Sequence, residues 1–178
     1  APKAVFIEAN ARLQVEHTVT EAVTGLDLVR LQLEIAGGAT LGDLGLTQAS
    51  VPEPRGHAIQ ARVNLETVDA DGETRPAGGL LSVYEPPTGP GVRVDGFGYA
   101  GYRTGLRFDS LLAKVIVHAI SGGLTAAGAK AARALAEFRI EGSATNLGLL
   151  RGVLAHPAVA AGDLHTRFFK ENLTDILK

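Results

Sequence analysis

Polar and apolar residues alternate one for one from Ile7 to Glu16: Ile7, Ala9, Ala11, Leu13 and Val15 interleave with Glu8, Asn10, Arg12, Gln14 and Glu16. In an extended chain, alternate side chains point to opposite faces. The pattern predicts a strand over Val5–Ala9 that continues as an extended stripe. If the whole run is extended, its polar groups share one face. Leu26–Ala36 then carries Leu28, Leu31, Leu33 and Ile35 behind Asp27 and ahead of Gly37-Gly38, the start and stop signals of a helix. Gly37–Gly56 is rich in Gly, Pro, Ser and Thr, with only a short Leu41–Leu46 stretch, and marks a domain boundary. His57–Leu65 alternates again, with Ile59, Ala61, Val63 and Leu65 on one side, and predicts a strand with one apolar face.

Val68–Thr74 is acidic and contains glycine, and it reads as a loop. Leu80–Tyr84 and Gly91–Asp95 read as short antiparallel strands, with Pro86-Pro87-Thr88-Gly89-Pro90 as the turn between them. A phosphate loop there would need a following helix N-terminus and a lysine, and neither is present. Ser110–Val115 is expected to be helical and to pass into a strand at Ile116–Ile120. Leu124–Phe138 gathers Leu124, Ala127, Ala131, Leu135 and Phe138 opposite Lys130, Arg133 and Glu137, an amphipathic helix for packing on a sheet. Thr145–Leu154 and His165–Leu173 are further helices. Strands followed by helices, without regular β-α-β alternation, predict an α+β fold with a mainly antiparallel sheet and packed helices.

Composition narrows the function. The 178 residues, 46% hydrophobic and 20% charged, can build a core of one domain or one domain plus a remnant. A net charge of −2 gives no basic face for nucleic acid. Without cysteine there are no disulfides and no thiolate metal sites, and the scattered histidines lack zinc-enzyme spacing. No apolar run is long enough to span a membrane.

The polar stripe is the chemically dense part of the chain. Glu8 and Asn10 offer oxygens of the kind Mg²⁺ takes. Arg12 presents a planar fork that matches a carbonate, carboxylate or phosphate. Gln14 can donate and accept, and Glu16 could act as a base toward an anion held at Arg12. A half-buried strand with a solvated face has the same alternation, and periodicity leaves both readings open.

The segment FIEANARLQVEHTVTEAVTGLDLV resembles the metal-and-bicarbonate segment of biotin carboxylases, the ATP-grasp component of biotin-dependent carboxylases. GHAIQARVNLE, RPAGGLLSVYEPP, GPGVRVDGFGYAGY and FDSLLAKVIVH follow in that family's order. The resemblance implies an ATP-grasp remnant over 1–45 and a biotin carboxylase C-terminal domain over 56–178. It implies ligase chemistry: ATP-dependent carboxylation of biotin by bicarbonate through carboxyphosphate, with Mg²⁺ or Mn²⁺. On this likeness Glu8 and Asn10 bind metal, while Arg12, Gln14 and the N–H of Val15 hold bicarbonate. Glu16 is the base, and Arg93 faces the biotin ureido group and stabilises its enolate.

By itself Arg93, in G-V-R-V-D, reads as an exposed strand position or a surface ion pair. Asp109 and Lys114 could approach a site, although Asp109 reads equally as a helix cap. Phe108 stands where the family often has tyrosine. His17 falls off the polar face, so packing or support suits it better than catalysis.

The family's lid, its ATP-gripping lysines and a further metal carboxylate would precede residue 1. The chain is therefore expected to be a C-terminal fragment that is inactive alone. The implied partners are a biotinyl carrier, a carboxyltransferase domain or subunit, and a second copy, in the cytoplasm or a mitochondrial matrix, with no role for nucleic acid or membrane. Two other readings stand beside this one: a dimerisation or carrier-docking module without its own catalysis, and another ATP-grasp ligase such as a carbamoyl-phosphate synthase. The acceptor of the carboxyl group is not legible.

Overall fold

The computed structural model describes residues 5–105 and 107–178 and divides the chain into two compact units, one reaching to Pro54 and one running from Arg55 to Lys178.

The first unit contains two helices, α1 (His17–Thr24) and α2 (Leu28–Ala36). Helix α2 begins where Asp27 predicts it: the Asp27 carboxylate accepts the Arg30 N–H at 2.8 Å, a cap of about 1 kcal/mol. Helix α1 was not expected, because H-T-V-T-E-A-V-T is rich in β-branched residues that lose χ1 freedom in a helix. It stops at Gly25, whose left-handed φ of 76° lets its N–H close on the Glu21 carbonyl at 2.8 Å. The Glu21 carboxylate accepts the Leu28 N–H at 2.9 Å, which links the end of α1 to the start of α2.

The strand expected over Val5–Ala9 does not form. Residues 5–10 have no regular secondary structure, and Val5, Phe6 and Ile7 are exposed. A strand is held by ladder hydrogen bonds to a neighbour, and among the described residues none supplies them. The chain then bends, the Arg12 N–H bonding to the Asn10 carbonyl at 2.8 Å, and turns at Val15–Glu16 into α1. The two-residue period therefore cannot place all five polar residues on one face.

The second unit runs β1 (His57–Asn64), β2 (Glu66–Val68), β3 (Thr74–Pro76), β4 (Val83–Glu85), β5 (Val92–Gly96), β6 (Leu111–Ala119), α3 (Gly123–Glu137), β7 (Arg139–Glu141), α4 (Leu147–Ala155), α5 (Pro157–Ala161) and α6 (Phe168–Ile176). It is α+β, and every strand pair is antiparallel: β1–β6–β5 form one sheet, and β2–β3 and β4–β7 form two ribbons. Three expectations change here. Of Ser110–Val115, expected to be helical, Leu111–Val115 lies in β6. Because β6 is central, buried apolar residues fall on both of its faces, Leu112 and Ile116 on one and Ala113, Val115 and Val117 on the other, so it shows no clean strand alternation. The 68–74 loop is flanked by a short ribbon, β2–β3. The proline-rich 86–90 segment does not join paired strands, since β4 pairs with β7 and β5 with β6.

The core lies between the β1–β6–β5 sheet and α3. Ala131, Ala134 and Leu135 pack with Ala61, Val63, Val115 and Val117, Ala127 is buried on the same helix, and Phe138 meets Tyr84 edge to face at 5.3 Å. Alanines at helical spacing let α3 sit close to the sheet, and burying Leu135 or Val63 stabilises by about 1.5–3 kcal/mol each. The outer edge of β1 is closed at its C-terminal end by Asn146. Its side chain accepts the Asn64 N–H at 2.9 Å and donates to the Arg62 carbonyl at 3.1 Å, while its own N–H bonds to the Asn64 carbonyl at 3.1 Å.

Candidate active site

In the first unit, the segment from Glu8 to Glu16 is largely exposed, with Leu13, Gln14 and Val15 half-buried. Glu8 and Asn10 sit side by side, Asn10 Nδ2 donating to Glu8 Oε1 at 3.3 Å. A carboxylate beside an amide is a hard-oxygen donor set that fits Mg²⁺, which takes one or two protein carboxylates and keeps waters and substrate phosphates. Among the described residues there is no cluster of three or more His, Cys, Asp or Glu that would make a closed protein cage. Arg12 Nη1 donates to the Leu13 carbonyl and Gln14 Nε2 to the Arg12 carbonyl, both at 3.4 Å. These bonds are long and exposed, so they bias the side chains only weakly.

Glu16 is the N-terminal flanking residue of α1, and its side chain makes no capping bond. His17 Nδ1 lies 2.8 Å from the Gln14 carbonyl. A carbonyl can only accept, so Nδ1 carries the proton. The ring thus steadies the backbone that carries Gln14. The structure brings Glu8 to Asn10 and Arg12 to Gln14, and it assigns Glu16 to the start of a helix instead of the end of a stripe.

In the second unit, Arg93 stands on β5 with Asp95 on the same face, two residues on. The Arg93 guanidinium grips the Asp95 carboxylate with two bonds, Nε to Oδ1 at 2.7 Å and Nη2 to Oδ2 at 2.8 Å. Lys114, directly opposite Asp95 on β6, brings its ammonium to 3.6 Å from Oδ2. Burial works against ionisation of Asp95, yet the hydrogen bonds and charge of Arg93, and then the charge of Lys114, hold its carboxyl below the usual carboxylate range.

Strand β5 is pinned at both ends. A β-carbon at Gly91, whose φ is 69°, would lie 2.5 Å from the His118 carbonyl oxygen, and Lys130 Nζ donates to the Pro90 and His118 carbonyls at 3.1 and 2.7 Å. A β-carbon at Gly96 would lie 2.6 Å from the Tyr84 hydroxyl. Burial pushes that hydroxyl's pKa up.

Asp109 caps no helix. It accepts the Leu111 N–H at 2.8 Å as β6 begins and lies 3.4 Å from Arg62 Nη2. Phe108 is 90% exposed. Asp95 escaped the sequence reading, although an opposite charge two residues along a predicted strand is a legible sign of a shared face.

Residues 2–44 match the family model described as "Carbamoyl-phosphate synthase L chain, ATP binding domain", which sets the class: part of an ATP-using ligase. Residues 60–171 match the "Biotin carboxylase C-terminal domain". The chain belongs to the biotin carboxylase family. That second match favours it over a carbamoyl-phosphate synthase.

The chain is 43% identical over 167 residues to pyruvate carboxylase of Aspergillus terreus, covering 93% of this chain and 14% of that protein. A single-chain, multi-domain long-chain acyl-CoA carboxylase of known structure is 47% identical with a TM-score of 0.91, over 97% of this chain and 18% of that one. The biotin carboxylase domain dimer of Hydrogenobacter thermophilus 2-oxoglutarate carboxylase, solved with MgADP, ADP and bicarbonate, is 32% identical with a TM-score of 0.84, over 94% and 35%. The chain thus spans a minor part of each relative. No helix among the described residues is long and apolar enough to cross a membrane.

Proposed function

We propose that this chain forms part of a biotin carboxylase that uses MgATP to activate bicarbonate and carboxylate N1′ of biotin. The observation that carries this reading is a hard-oxygen, guanidinium and carboxylate set at Glu8–Glu16 in the same chain as the pinned Arg93, within a match to a biotin carboxylase domain.

Glu8 and Asn10 would hold Mg²⁺, which supplies charge neutralisation at the phosphates. Arg12 and Gln14 bind bicarbonate, the guanidinium in two-pronged fashion. Glu16 takes the bicarbonate proton. The freed oxygen forms a bond to the γ-phosphorus of ATP as the β–γ bridging P–O bond breaks, giving ADP and carboxyphosphate. Carboxyphosphate breaks its C–O bond to the phosphoryl group, releasing CO₂ and phosphate, and the phosphate takes the N1′ proton. Arg93 directs fixed positive charge at the ureido oxygen, where negative charge develops as that proton leaves, and N1′ then bonds to the carbon of CO₂. The remaining partners are a biotinyl carrier, a carboxyltransferase that selects the acceptor, and a second copy, with the cytoplasm as compartment.

ADP release with MgATP, bicarbonate and free biotin tests this, using the chain itself, a form extended through the ATP-binding domain, and the Glu16→Gln variant of that form. Activity in the extended form alone, lost in the variant, is the expected result. Silence from a folded extended form would sink the assignment.

A further inference from the structure

We infer that Asp95 is a positioning residue for Arg93, gripping one edge of its guanidinium while Lys114 holds Asp95 from the neighbouring strand. This rests on the reading of Arg93 given above.

An arginine on a half-exposed strand position has a long side chain with many rotamers, and an oxyanion donor works only when its N–H groups are already aimed. Two parallel N–H···O bonds, at 2.7 and 2.8 Å, fix the plane of the guanidinium as well as its position. They engage the Nε–Nη2 edge. Asp95 is itself anchored: Lys114, whose side chain is only 12% exposed, stands opposite it in the β5–β6 register at 3.6 Å. Behind both lies a strand packed closely at its two ends, Gly91 against the His118 carbonyl and Gly96 against the Tyr84 side chain. Fixation therefore passes from backbone to Asp95 to Arg93.

Charge decides between two roles for the pair. Partly exposed ion pairs add little to stability, so orientation is what this one supplies. A lone Arg93–Asp95 pair would be neutral and poor at facing an oxyanion. With Lys114 the one carboxylate is shared between two cations, so it neutralises Arg93 less completely.

The test uses the intact carboxylase carrying this sequence, measuring ADP release as a function of biotin, ATP and bicarbonate. Asp95→Asn keeps the shape and removes the charge. It is expected to lower kcat with biotin about 10- to 100-fold, the cost of a misaimed group, with KM for ATP and bicarbonate unchanged. Asp95→Glu is expected to restore part of that loss, a rescue that a merely structural role would not give. Wild-type kcat and biotin KM in Asp95→Asn, beside an inactive Arg93→Gln, would overturn the inference and leave the role of Arg93 standing. Full turnover in Arg93→Gln would instead overturn that role. If Asp95→Asn melts below the assay temperature, Lys114→Gln is read on the same scale: a kcat loss confined to the biotin-dependent step supports the inference, and an unchanged kcat overturns it.

Discussion

Gly96 shows how closely this molecule is fitted at single residues. A methyl group there would lie 2.6 Å from the Tyr84 hydroxyl and 2.9 Å from the Ala113 β-carbon. Gly96→Ala is expected to cost about 1–3 kcal/mol, the usual price of overpacking, read as a lower urea midpoint. Titration follows from two side chains. The carboxyl of Asp95 is held below its ordinary range. Its contribution is present above the unfolded value of about 4 and is lost as pH falls through the lower folded value. The Tyr84 hydroxyl is raised by burial. Its contribution is complete below about pH 10 and is lost as pH rises through the higher folded value. Stability measured by thermal melting is expected to be flat between these limits for both groups, and Asp95→Asn should flatten the acid limb. Arg93 could be placed on its strand from sequence, because alternation specifies a face. Its grip on Asp95 depends on side-chain torsions and on Lys114, which arrives from a strand some twenty residues away.

At the scale of elements, helices announced themselves where caps and periodicity agreed. Asp27 starts α2, and the alanine stripe of α3 turns toward the sheet as its spacing requires. Ala131, nearly inaccessible against the sheet, has no room to grow. Ala131→Leu is expected to destabilise by about 1–3 kcal/mol, measured by chemical denaturation. Two elements defeated pattern reading for opposite reasons. Helix α1 forms from β-branched residues because its capping glycine and its tie to α2 outweigh weak propensity. Strand β6 hides its period because buried apolar residues fall on both of its faces. The stripe from Glu8 to Glu16 failed in a third way: alternation predicts two faces only while the backbone stays extended, and this backbone bends at Ala11–Arg12.

For the molecule as a whole, the sequence marked a composition change between Gly37 and Gly56, and the described chain divides at Pro54. What no local pattern could disclose is how the second unit deals with its open sheet edge. An unpaired strand invites another extended chain to add to it. Asn146, with three hydrogen bonds to Arg62 and Asn64, already occupies the end of that edge. Asn146→Ala is expected to cost about 1–3 kcal/mol, since a strand N–H and a carbonyl lose their partners. It should also raise concentration-dependent light scattering on warming beyond that of Ala131→Leu at matched stability. One asparagine, with no part in the proposed chemistry, would then act as a guard against fibre growth, sparing the protein from becoming a template for its own copies.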